Sequence, residues 1–177
     1  MKRLIPFCLL GLSVVAARAE TWEGRATIAF TGVSTLHEFR GHGTTEVFEA
    51  DIAPDRGSIA CGAEVRVLDL TTDEKARDKK MYEMFHAAEF STISASVTGV
   101  RSDATNVPLR VNIMGKEQTL VAVVSDHAGS PGGISFALTF DLSLAKTGLE
   151  APTAMAGLIK VRDAVHVVVH VEMVNPN

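Results

Sequence analysis

Apolar and polar residues alternate along most of this chain, and the alternation is interrupted once. Ala26, Ile28 and Phe30 alternate with Arg25, Thr27 and Ala29, the two-residue period of a strand with one buried face. A short break is expected at Gly32-Val33, then a strand from about Leu36 to Ile52 with a bulge near Gly41 or Gly43. Pro54-Asp55-Arg56-Gly57 is a turn, since Pro sets φ, Asp bonds locally and Gly tolerates positive φ. A third strand follows, from about Ser58 to Leu70. Further on, Ile93, Ala95 and Val97 set one strand face. Val107, Leu109, Val111 and Ile113 lead to a turn at Gly115-Lys116, and Leu120, Ala122 and Val124 carry the return. Gly129-Ser130-Pro131-Gly132-Gly133 reads as a loop before the cleanest ladder, Ile134, Phe136, Leu138, Phe140, Leu142 and Leu144. In the last strand, about Gly157 to Met173, Val165, Val167, Val169 and Val171 oppose His166, Val168, His170 and Glu172.

The interruption is residues 71–93. Met81, Met84, Phe85 and Ala88 fall at i, i+3, i+4 and i+7, the stripe of a helix. Charged residues cover its other faces, and Thr71 with Glu74 fits a capping box. The chain thus predicts about eight short strands and one helix without a βαβ rhythm. That pattern defines an all-β domain with an antiparallel sheet, closed as an up-and-down barrel or stacked as a sandwich. The helix would either plug one end or cover a mouth.

The first residues change the picture by setting a compartment. Lys2 and Arg3, the apolar stretch Leu4 to Ala17 and the Ala17-Arg18-Ala19 pattern read as a secretory signal over residues 1–19, leaving a single domain over 20–177. The apolar stretch is shorter than the roughly 20 residues of a membrane span. Ile5-Pro6-Phe7 lacks the small residues expected before a lipidated cysteine at Cys8, so a soluble exported protein is expected rather than a lipoprotein. The domain would keep 14 basic against 21 acidic residues, a net charge of −7 with His neutral. Such a balance is poor for nucleic acid, whose phosphates need clustered Lys and Arg. Cys61 would be its only cysteine; it sits in the alternation of Ile59, Ala63 and Val65 and reads as a buried small hydrophobe.

Four segments carry a resemblance to a known family: GVSTLHEFRGHG, LTTDEKARDKKMYEMFHAAEFSTISA, VNIMGKEQTL, and the closing FDLSLAKTGLEAP with GLIKVRDAVHVVVHVEM. Together they make the chain similar to the YceI-like family, the lipocalin-like, polyisoprenoid-binding proteins of bacteria. The helical segment is the most specific, with Arg77-Asp78 and Phe90 standing at the family's positions. The resemblance implies an eight-stranded antiparallel barrel with one helix near one end, often dimeric. It also implies export to the periplasm and an elongated apolar cavity for an isoprenoid or similar amphiphilic lipid.

On that reading the cavity wall would be drawn from Phe30, Phe39, Met81, Met84, Phe85, Phe90, Ile93, Ile113, Phe136, Leu138 and Phe140. His37 and Arg77 would form a polar mouth. Ordinary core explains the same ladder, because an eight-stranded barrel is just narrow enough for side chains to fill. Arg77 and Asp78 equally suit a solvated face or a salt bridge that anchors the helix. A surface-acting stress-related or assembly module, with a packed interior, is one rival. A histidine-based metal domain using His37, His42 and His86 is another. It is the weaker, since His166 and His170 would lie roughly 13 Å apart on a strand and no zinc spacing is present. No nucleophile elbow, P-loop or dinucleotide fingerprint occurs, so neither an enzyme nor a cofactor is expected.

Overall fold

The computed structural model describes residues 19–53, 57–101, 103–154 and 157–176. The proposed signal segment and Pro54-Asp55-Arg56 therefore lie outside the described residues, apart from Ala19. The strands are β1 (Glu20–Ser34), β2 (Glu38–Thr44), β3 (Phe48–Ile52), β4 (Ser58–Arg66), β5 (Thr92–Arg101), β6 (Asn106–Ile113), β7 (Lys116–Ser130), β8 (Gly133–Ser143), β9 (Thr153–Ala154) and β10 (Ile159–Val174), with the helix α1 at Lys75–Met84. All pairings are antiparallel: β2 and β3 both lie against β1, β3 to β7 each pair with the next strand in sequence, β8 pairs with β10, and β10 returns to β1 from Glu23↔Val174 to Ser34↔Val161. The sheet is therefore a closed meander. Closure removes most of the free edge that an open sheet would expose; β2 pairs with β1 alone and meets Thr71 through a single bridge.

The barrel has eight staves, because β2 and β3 are one interrupted strand and β9 is only a two-residue strand paired with the start of β10. Thr27 pairs with Thr44 and Gly24 with Phe48, so three steps along β1 match four along its partner. That is a bulge of one residue, and it falls at Thr45–Val47 rather than at Gly41 or Gly43. Thr45 bridges it: its N–H donates to the Ala26 carbonyl (2.9 Å) and its hydroxyl accepts the Ala26 N–H (3.0 Å). The two glycines serve close approach instead, Gly41 beneath the Phe30 ring and Gly43 beneath Leu70.

Other boundaries also move. β1 runs through Gly32-Val33 to Ser34, with an irregularity against β10 where the break was expected. The strand expected to reach Leu70 ends at Arg66 and continues as a 3-10 turn, Val67–Asp69. The glycine loop at 129–133 is a two-residue turn, since Ser130 pairs with Gly133. The turn at Met114-Gly115 is likewise two residues, both with positive φ (51° and 74°), the geometry that matches strand twist. The helix is shorter than its periodic segment. Glu74, not Thr71, caps it, accepting the Ala76 N–H at 3.2 Å.

The two ends of the barrel differ in kind. At the end away from α1, Trp22, Ala50 and Ile52 are fully buried and pack with Phe48, Ile59, Ile134 and Met173. At the other end α1 lies across the opening. It buries Met81 and Phe85 against Val65, Leu70, Ile113 and Leu144.

Candidate ligand-binding cavity

Between the Trp22 cluster and α1 the barrel encloses a cavity of about 680 Å³. That lies inside the ~300–1,000 Å³ typical of sites that enclose small ligands. The interior is therefore not filled by the protein's own side chains. Its wall is built from the inward positions of the strands, chiefly Ile28, Val65, Val97, Val107, Leu109, Val124, Leu142 and the β10 valines 165, 167, 169 and 171. Phe30, Phe39, Ile93, Ile113, Phe136, Leu138 and Phe140 also lie on this wall, with Met81, Met84 and Phe85 above it from the helix. Phe90 does not. The helix ends at Met84, His86 turns the chain with φ 49°, and Phe90 leaves the wall as its N–H bonds back to the His86 carbonyl. Ala88, the fourth member of the helical stripe, is exposed for the same reason.

Three phenylalanines owe their position on the wall to glycines across the ladder. Phe30 pairs with Gly41, Phe39 with Gly32 and Phe48 with Gly24. A Cβ built on any of these glycines would overlap the facing ring. Each ring thus lies down over a bare stretch of backbone instead of standing into the lumen. The pairing supplies aromatic wall while leaving the centre open.

The mouth beside α1 is polar. His37, Glu74, Arg77, Lys80 and Thr153 border it. The Arg77 guanidinium lies 5.3 Å from the centroid of the Phe39 ring, within cation–π range. Lys80 donates to the Thr153 carbonyl at 2.9 Å. Asp78 does not share Arg77's setting: it is buried and faces the chain before the helix. It accepts hydrogen bonds from the Thr71 hydroxyl (2.7 Å), the Thr72 N–H (2.7 Å) and the Thr72 hydroxyl (2.5 Å). Thr71 in turn exchanges both backbone bonds with His42 of β2, and the Tyr82 hydroxyl donates to the Leu70 carbonyl. Asp78 is thus the anchor that ties the helix to the barrel, through hydrogen bonds rather than a salt bridge.

Burial alone would raise the Asp78 pKa, but the bonds from Thr72 and Thr71, together with the nearby Arg77 charge, hold it below its ordinary value of 3.8. A depressed native pKa stabilises the fold above the unfolded value, and the contribution is lost as pH falls through the native one. Asp78→Asn should therefore cost about 1.5–3 kcal/mol at neutral pH, the range for hydrogen bonds to a charged group. The penalty should shrink as pH falls below about 4. Hydrogen exchange should locate the loss in α1 rather than in the barrel strands, and equal loosening of β10 would contradict the anchor role.

Cys61 lines the cavity, and burial pushes its thiol up to about 11. Little thiolate exists near neutrality, so the thiol is poorly reactive. Iodoacetamide at pH 8 should modify Cys61 slowly in the folded protein, and more slowly still once the cavity is loaded. A modification rate equal to that of the unfolded chain, read by intact mass, would contradict this placement. Among the described residues, no three His, Cys, Asp or Glu side chains are grouped where they could hold a metal ion. His42 instead approaches Asp73 (3.8 Å), and His166 bonds Asp141 (2.8 Å) on the outer face.

The sequence reading missed the second rim of the cavity. Asp126 has φ 52° and the β7–β8 register shifts between Ser125 and Ala128, so parity changes there. Val124 and His127 both reach the cavity, near Arg101 and Ala104 from the β5–β6 connection.

A closed eight-stranded meander, plugged by side chains at one end and roofed by a helix over an apolar cavity at the other, is a lipocalin-like barrel. The chain belongs to the YceI-like domain family, whose model matches residues 15–173. Among solved structures it is similar to a polyisoprenoid-binding domain from Saccharophagus degradans, with 14% identity, a TM-score of 0.64, and 87% of this chain and 98% of that one covered. It is similar also to BcnA of Burkholderia cenocepacia (12%, TM-score 0.65, 83% and 95% covered) and to the Campylobacter jejuni YceI protein (13%, TM-score 0.54, 96% and 91% covered). No curated protein matches the sequence.

Proposed function

We propose that this is an exported binding or carrier protein that sequesters the hydrocarbon chain of an isoprenoid-like amphiphile inside the barrel. The observation that carries the reading is the 680 Å³ apolar cavity beneath α1. A preformed apolar cavity of that size favours hydrocarbon, and burial contributes about 0.8 kcal/mol per methylene. The polar head stays at the mouth, where His37, Arg77 and Lys80 offer hydrogen bonds and positive charge. Met81 and Met84 suit a roof that adapts to chains of different shape. The Saccharophagus domain of the same fold, described as polyisoprenoid-binding, supports this choice of ligand class. No bond is made or broken; the protein keeps an insoluble chain out of water. Residues 1–19 act as a signal peptide and place the barrel in the periplasm.

The test is direct. Full-length protein expressed in a bacterial host and purified from the periplasm without detergent should release a near-stoichiometric lipid on organic extraction. Mass spectrometry would identify its chain and head group. Lipid-free protein that also fails to take up farnesol from detergent micelles would sink the proposal.

A further inference from the structure

The barrel wall is not uniformly zipped. β6 and β7 share eight register pairs, from Asn106↔Val123 to Ile113↔Lys116, whereas β5 and β6 share three, Ser94↔Asn112, Ala95↔Val111 and Ser96↔Arg110. The ladder stops there although both strands continue. Extending the register would set Thr98 opposite Pro108. On the β5 side, Gly99 has φ +61° and the register against β4 shifts between Ile59 and Cys61, so one residue is bulged out at this point. On the β6 side, Pro108 has no N–H to give to a ladder. Two residue choices that each end strand pairing thus face one another. Thr98, Gly99, Asn106 and Pro108 are all exposed, so backbone groups without a ladder partner here can reach solvent. Behind this parting, Val97, Val100, Val107 and Leu109 belong to the cavity wall, with Arg101 and Ala104 at its lower rim. The apolar lumen therefore reaches the wall where the β5–β6 ladder lacks register pairs.

We propose that the parting between β5 and β6 is a side door through which the tail of a bound hydrocarbon chain leaves the barrel. The inference rests on the amphiphile-binding reading and sharpens it. The head sits at the helix mouth, the chain crosses the lumen, and a chain longer than the cavity is accommodated because its end emerges between the strands. Among the described residues, the Trp22 cluster fills the barrel at the end away from the helix, and this gap lies beside it.

A reversible staple tests this. Thr98→Cys with Pro108→Cys, in a Cys61→Ser background, places both thiols on the outer face, so that a disulfide closes the gap without filling the lumen. The same protein is then loaded from detergent micelles, oxidised or reduced, with farnesol or with the much longer solanesol. Bound lipid is quantified by extraction and mass spectrometry. The expected result is that oxidation weakens solanesol binding at least about tenfold, leaves farnesol nearly unchanged, and is reversed by dithiothreitol. Equal solanesol binding in both redox states overturns the side door while leaving the carrier reading intact. Failure of both lipids to bind the reduced protein and the wild type overturns the carrier reading, and the side door with it. If the strands stand too far apart for the disulfide, Pro108→Val replaces the staple. It returns an N–H to β6, and should raise hydrogen-exchange protection over 97–109 while slowing solanesol loading. Raised protection with unchanged loading also overturns the proposal.

Discussion

Gly41→Val should empty the cavity of ligand while the barrel remains folded. Valine suits a strand, and Gly41 has ordinary backbone geometry, so its conformation poses no obstacle. The conflict is with the Phe30 ring, which occupies the space a Cβ would take. The backbone on either side is held by the β1–β2 ladder, from Thr27↔Thr44 to Val33↔Glu38. The ring is therefore the part that moves, and the lumen is the open direction. Overpacking of this kind costs about 1–3 kcal/mol of stability. Displacing even two methylenes of a bound chain costs about 1.6 kcal/mol at ~0.8 each, which is more than tenfold in Kd. Farnesol binding should fall by at least that factor, and Gly41→Val with Phe30→Ala should restore it by returning the space. Wild-type affinity in the single variant would show that the ring has another place to go.

This pairing also explains where the sequence was legible. The two-residue period identified nearly every inward strand position, because alternation is imposed by the pleat and survives in any sheet with one buried face. The ladder Ile134 to Leu144 and the β10 valines lie where that period puts them. What the period does not carry is pairing across strands. Gly41 and Gly43 suggested a bulge because glycine in a strand marks either a bulge or a close approach. Only the register assigns Gly41 to Phe30 and moves the bulge to Thr45. Asp126 hid the lower rim in the same way: one residue with positive φ changes parity, and His127 turns inward against the alternation. The helical segment combined both limits. Its apolar stripe was readable through Met81 and Phe85, and the YceI-like resemblance gave the segment its place. Asp78, read together with Arg77, suggested a solvated face or a salt bridge anchoring the helix; what stayed hidden was which groups it bonds. Its role depends on Thr71 and Thr72, which curl back to meet it. Charge suggests solvent or a salt bridge, whereas three donors converging on one carboxylate make a hydrogen-bonded anchor.

Trp22→Ala should be the most destabilising single change, and its effect should be of another kind from loss of the Asp78 anchor. Trp22 is fully buried, pairs with Ala50 across β1–β3, and packs in the cluster that closes the end of the barrel. Its indole N–H donates to Glu20 at 3.1 Å. Truncation of a buried aromatic of this size costs about 3–5 kcal/mol, from lost burial and from the space left behind. For a domain of this size that corresponds to a fall in Tm of roughly 10 °C. The loss should be global, because β1 pairs with β2, β3 and β10 and so holds the closure of the sheet. Hydrogen exchange should accelerate in β10 as well as β1, in contrast to the helix-confined effect of Asp78→Asn. The vacated site is apolar, and such cavities stay dry and take up small aromatic molecules. Added indole should therefore recover part of the lost Tm in Trp22→Ala and leave the wild type unchanged. A Tm within about 2 °C of wild type, less than the shift expected from even 1 kcal/mol, would mean that Trp22 is not the plug. The end of the barrel opposite α1 would then be a third route into the lumen.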